Sequence, residues 1–298
     1  MVEKELTNDE FISEPNRVGS WRRFRRVFFS RGMVVFGLAV LLLLIITAIF
    51  APWLAPHDPY TPGVAGSLLK PTALHPLGSD ILGRDTLSRL IYGSRTALMV
   101  GFVSVAIASI VGITLGLIAG FFGGFINIFI MRAIDAFMCF PMILLALVIA
   151  AVLGGGLQNV IIALSVATIP GYARVTHGLT LSISENDYIL AQRSMGAGSR
   201  RTILRHILPN ALPPLIVLMT LQLGNLILAE AGLSFLGIGI EPPGAAWGAM
   251  VSDGYKYLLQ NPVLSFAPGL AIMLVVFAFN MVGDGLRDAL DPRLRGLL

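Results

Sequence analysis

A chain of 298 residues that is 55% hydrophobic and only 13% charged falls outside soluble domains, where about a quarter of residues are charged. It reads as an all-α polytopic membrane protein. Its net charge of +4 comes from three lysines and eighteen arginines. These cluster beside apolar runs, as the positive-inside rule expects, which argues against nucleic acid as a partner. The lone Cys139 forms no internal disulfide, and no Cys or His spacing suits a metal. Its expected role is small-residue packing between helices.

Residues 1–32 make a cytoplasmic tail. Glu3, Glu5, Asp9, Glu10 and Glu14 are too polar to bury a core. Trp21, Phe24 and Phe28 then recur at helical spacing among four arginines. They read either as a short helix on the inner leaflet or as the basic flank of a span. The permease domain occupies 33–298. Met33–Phe50 is uncharged and long enough to cross an apolar core of about 30 Å. The preceding region is too long and acidic for a signal peptide.

An outer loop, 51–95, follows. Near its end Asp85 and Arg89 are spaced i, i+4, and Leu87, Leu90 and Ile91 share a face. An amphipathic surface helix leading into span two is expected. Further spans are predicted at 96–120, 128–152, 157–173, 211–233 and 263–285, six in all. Gly112, Gly116 and Gly120 form a small-residue ladder suited to close helix contact. Pro141 is expected to kink span three, and Arg132 with Asp135 to pair along it near the inner interface. Six spans put both termini on one side. That side carries sixteen lysines and arginines and the other five, so the termini are expected in the cytoplasm.

Between spans four and five lies 174–210, including YILAQRSMGAGSRRTILRHILPN from Tyr188 to Asn210. Its arginines and turn residues are too costly for lipid. Ala191 permits close approach, Gly196 a sharp turn, and Pro209 ends the second helix or restarts the next span. Arg193, Arg200, Arg201, Arg205 and His206 offer polar contacts to a partner's acids or to lipid phosphates. A P-loop needs Gly-Lys, yet Lys4, Lys70 and Lys256 follow Glu3, Leu69 and Tyr255. The chain has no ATP site of that kind.

The loop resembles the coupling loop of ABC-importer permeases. LGSDILGRDTLSR at Leu77–Arg89, MRAIDAFMCFP at Met131–Pro141, LSFLGIGIEPPGAAWGAM at Leu233–Met250 and FNMVGDGLRDALDPRLR at Phe279–Arg295 extend the likeness. In that order they resemble the C-type permease of the dipeptide, oligopeptide and nickel ABC importers, over nearly the whole chain after residue 30. One departure is visible: the general motif begins Glu-Ala-Ala, and here Leu190-Ala191-Gln192 stands instead. A contact made by that Glu does not carry over.

The resemblance implies a type I ABC importer permease fold in a bacterial inner membrane. It implies a second homologous permease, two ATP-binding subunits that hold ATP and Mg, and an extracytoplasmic solute-binding protein. Ala191, Gly196, Arg205, His206 and Pro209 would couple to the ATPases, and this chain would carry no cofactor or catalytic residue. Peptides are the leading cargo, with nickel, metal chelates or glutathione as alternatives.

Glu230, a rare carboxylate near the outer end of span five, is a substrate-path residue, an interfacial acid in headgroup water, or an acid paired within the complex. Trp247 is expected to anchor at the interface. His57 and His75 read as incidental loop histidines or as contacts to a metal cargo, and His177 and His206, on or beside the coupling loop, lie too far from them to make one metal site. Asp284, Arg287, Asp288, Asp291 and Arg293 dock on the ATPases or anchor span six. A stand-alone secondary transporter would want coupling acids near mid-membrane and an inverted repeat. An intramembrane enzyme would want a nucleophile or metal motif. Neither pattern is present.

Overall fold

The computed structural model describes residues 20–290, and the acidic tail residues, Asp291 and Arg293 lie outside them. The described residues are helical throughout apart from loops and one isolated bridge. In chain order the helices are α1 (Ser20–Phe29), α2 (Gly32–Ile49), α3 (Ala51–Leu54), α4 (Thr86–Phe122), α5 (Gly124–Met138), α6 (Met142–Leu153) and α7 (Leu157–Ser184). There follow α8 (Asp187–Ser194), α9 (Ser199–Thr202), a π turn (Ile203–Ile207), α10 (Leu208–Phe235), α11 (Trp247–Tyr255) and α12 (Val263–Leu290).

Among the described residues, five segments are each long and apolar enough to cross a membrane. The sixth expected span is broken: α5 and α6 meet at 88°. The break falls at Cys139–Pro141, where Pro141 cannot donate to the preceding turn. Pro141 therefore does more than kink a continuous helix. Cys139 caps α5 at the bend and is exposed, so it packs no helix pair as expected from the sequence.

The core is built on α4 against α7. Gly112, Gly116 and Gly120 face Tyr172, Ala173, Thr176, His177 and Thr180 of α7. A β-carbon on Gly116 would lie 2.6 Å from the Ala173 carbonyl and from Thr176 Cβ. Only glycine lets the backbones approach this closely, as the ladder predicts. Val100, Leu164, Leu226 and Ile227 fill the shared core among α4, α7 and α10. Phe28 is buried against Val34 and Val282, so that side of α1 faces protein. Arg31 pairs with Asp288 at 2.7 Å, which ties the C-terminal charges to α2.

No separate surface helix precedes span two. Asp85 caps α4 directly, accepting from Ser88 N at 2.8 Å, and one 37-residue helix runs from Thr86. Arg89 does not pair with Asp85. It donates to the carbonyls of Pro59 at 3.0 Å, Gly244 at 3.3 Å and Pro243 at 3.4 Å and stands 3.6 Å from Asp80. Trp247 is likewise no interface anchor. It is buried, and its Nε1 donates to the Leu90 carbonyl at 2.9 Å. The loops before α4 and after α10 are thus clasped to the N-terminal end of α4.

Candidate coupling hairpin

The segment 174–210 is largely helical. Residues 174–184 continue α7, and α8, α9 and the π turn form a hairpin returning into α10. Pro209 lies inside one continuous helical run, Ser199–Phe235, two residues after the π turn. It neither ends nor starts a helix: the wider turn before it accommodates its missing N–H. The turn is made at Gly196, with φ +83°. Ala197 N donates back to the Gln192 carbonyl at 3.0 Å, closing α8 through a left-handed glycine. Nothing lies within 4 Å of where a Gly196 side chain would start. Conformation, not crowding, therefore selects glycine.

Two of the isoleucines in this basic stretch fix the hairpin to the bundle. Ile189 and Ile207 are fully buried against Leu117 of α4, with Ile113, Phe121, Ile183, Ile203 and Leu208 around them. Burying each contributes roughly 1.5–3 kcal/mol. Arg193 stacks over the Phe121 ring, its guanidinium carbon 4.5 Å from the centroid. Gln192 Nε2 lies 3.2 Å from His206 Nδ1, and Asn210 donates to Tyr188 Oη at 3.3 Å. A displacement of the hairpin must therefore move α4 and α10 with it.

Of the residues singled out from sequence, Ala191, Gly196, Arg205 and Pro209 are exposed, while His206 turns inward to Gln192. Beside them Tyr188, Leu190 and Met195 project outward, Met195 at 78% exposure. The hairpin thus presents an apolar ridge with Arg200, Arg201 and Arg205 beside it. The anchors Ile189 and Ile207 and the brace Gln192–His206 are not apparent from motif spacing. Ile189 and Ile207 are two of several large apolar residues in this basic segment, so composition does not single them out.

The hairpin and the clasped loops sit at opposite ends of α4. Leu90 and Leu117 are 27 positions apart in that helix, which is about 40 Å and more than the ~30 Å apolar core of a bilayer.

Asp135 takes a different partner from the one expected. Its closest ion pair is with Arg174 of α7, and Arg132 is only a loose neighbour at 3.8 Å. The bridge crosses from α5 to α7. Arg174 escapes the sequence reading because it falls where a loop was expected to begin. Glu230 is 1% exposed, so it does not stand in headgroup water. Its Oε1 accepts from Ser234 Oγ at 2.6 Å, and Ser234 Oγ accepts from Ile240 N at 3.2 Å. This chain of bonds fastens the loop after α10.

Comparison with known proteins bears on this arrangement. The profile of the binding-protein-dependent transport system inner membrane component family matches residues 112–296. That of the N-terminal TM domain of oligopeptide transport permease C matches residues 19–71. The chain belongs to this permease family. It is 42% identical over 278 residues to the dipeptide transport system permease protein DppC of Alkalihalophilus pseudofirmus, covering 93% of this chain and 91% of that one. It is 41% identical to the glutathione transport system permease protein GsiD of Pectobacterium atrosepticum, over 92% of each chain. The probable D,D-dipeptide transport system permease protein DdpC of Escherichia coli is 40% identical over 98% of each. The fold matches a chain of the inward-facing MetNI methionine ABC transporter with TM-score 0.56 and 24% identity, over 68% of this permease and 96% of that chain. The permease is a multi-pass membrane subunit with an ABC-importer fold.

Proposed function

We propose that this permease is half of the translocation pathway of an ATP-driven importer of small peptides in a bacterial inner membrane. The observation that carries the proposal is the anchored hairpin. A chain without a P-loop takes its force from a partner, and an exposed knob rigidly tied to two long helices transmits it. A groove on an ATPase subunit receives the Tyr188–Leu190–Met195 ridge, and the basic side chains beside it meet acids at the groove's rim. A second permease supplies the other hairpin for a second ATPase. Closing of the ATPases moves both hairpins and rocks the bundles between two packings. The basic hairpin faces the cytoplasm, as do the termini, and the clasped loops face a solute-binding protein outside. Peptide cargo is supported by the names of the relatives. Glutathione, itself a tripeptide, is the second reading, supported by the GsiD relatives.

The test is to express the tagged permease with its neighbouring genes, purify in detergent and reconstitute. A second permease and ATPase subunits are expected to co-purify, and a labelled dipeptide to enter liposomes only with ATP and the binding protein. A permease that purifies alone and moves solute without ATP refutes the proposal.

A further inference from the structure

The fold brings together two histidines that the sequence leaves isolated. His57 and His75 stack with ring centroids 4.6 Å apart. His75 Nδ1 lies 2.9 Å from Asp85 Oδ1, and His57 Nδ1 lies 3.9 Å from the same oxygen. One ligand atom from each of the three residues lies within 4.8 Å of those of the other two. Two imidazole nitrogens and a carboxylate oxygen are a donor set for zinc and its neighbours in the first transition row. With bonds of 2.0–2.2 Å, tetrahedral ligand atoms stand roughly 3.4 Å apart. The two observed distances bracket that value, so small side-chain rotations suffice.

Three further features fit a site better than a plain structural pair. His57 Nδ1 is buried with no hydrogen-bond partner, a costly state for a polar atom that an ion relieves. Ser88 occupies the other carboxylate oxygen: its N and Oγ donate to Asp85 Oδ2 at 2.8 and 2.7 Å. The same Oγ accepts from His57 N at 3.0 Å. One residue thus orients two of the three ligands, the support that metal sites need around their ligands. Finally, His75 and Asp85 are buried while 30% of the His57 side chain is exposed, which leaves an open side for a fourth ligand. At 2.9 Å, His75 Nδ1 and Asp85 Oδ1 hold one proton between them.

We propose that His57, His75 and Asp85 hold a divalent transition-metal ion at the N-terminal end of α4, opposite the coupling hairpin. The ion takes the place of the proton between His75 Nδ1 and Asp85 Oδ1, which leaves to solvent, and staples residues 57–75 to the start of α4. The site stands whatever the cargo of transport.

The test uses the full-length permease in detergent, carrying a tag without histidine. After chelator stripping, incubation with Zn²⁺ and desalting, about one ion per chain is expected by mass spectrometry of the metal. His57→Ala and Asp85→Asn are expected to lower retention roughly tenfold or more, and His177→Ala to leave it unchanged. Cobalt is expected to give visible absorption bands in the wild type and none in His57→Ala. The His57 ring makes no hydrogen bond to lose, but it stacks on His75. Metal-free His57→Ala is therefore expected to melt slightly below the wild type, and only the wild type to gain thermal stability from Zn²⁺. Equal metal retention by wild type and His57→Ala overturns the proposal.

Discussion

Gly116→Ala tests the contact on which the bundle rests. The added methyl would sit 2.6 Å from the Ala173 carbonyl oxygen and 2.6 Å from Thr176 Cβ, with His177 N at 2.9 Å. Ordinary contact begins at 3.4 Å, so α4 and α7 must part by about 0.8 Å at this level. A gap of that size forfeits a quarter to a half of each pairwise attraction along the seam. Overpacking of this kind costs about 1–3 kcal/mol. The better helix propensity of alanine returns about 0.5–1 kcal/mol. The net loss is about 0–2.5 kcal/mol, centred near about 1 kcal/mol, which is a fall in melting temperature of roughly 2–4 °C at the centre, read by thermal unfolding in detergent. Gly178→Ala on α7 is the control. Nothing lies within 4 Å of its added methyl, so it is expected to be neutral or slightly stabilising. A Gly116→Ala protein as stable as wild type, or a Gly178→Ala protein equally damaged, refutes the close-contact argument.

Three other outcomes are expected. Gly196→Val forces a branched side chain into a left-handed backbone at about 1–2 kcal/mol, so ATPase subunits should be lost on purification, while Gly196→Asn retains them; equal loss in both would remove the conformational explanation. Arg174→Gln should lower stability by about 0.2–1 kcal/mol, since the pair is part-exposed. A double-mutant cycle with Asp135→Asn should show coupling, and Arg132→Gln should cost less; the reverse ranking contradicts the α5–α7 bridge. Glu230→Gln keeps an acceptor for Ser234, so the permease should reach normal levels. Peptide uptake then decides the role of the charge, and unchanged transport removes Glu230 from the substrate path.

Much of this protein is written in local sequence. Runs of apolar residues the length of a bilayer, the ladder at Gly112, Gly116 and Gly120, and the hairpin between α7 and α10 are legible because hydrophobicity and side-chain size act residue by residue. The family is legible for the same reason, since its motifs are continuous in the chain. Partnerships between distant residues are not. Arg174 reaches Asp135 across 39 positions, Trp247 finds Leu90 across 157, and His57 meets His75 only because the loop folds back on the start of α4. Each side chain had a nearer partner or an ordinary surface role available in sequence. Which one it takes depends on how the helices cross, and that is decided by packing of the whole bundle. The 88° break at Pro141 shows the same division. The residue announces that a helix must bend, but neighbouring helices set how far.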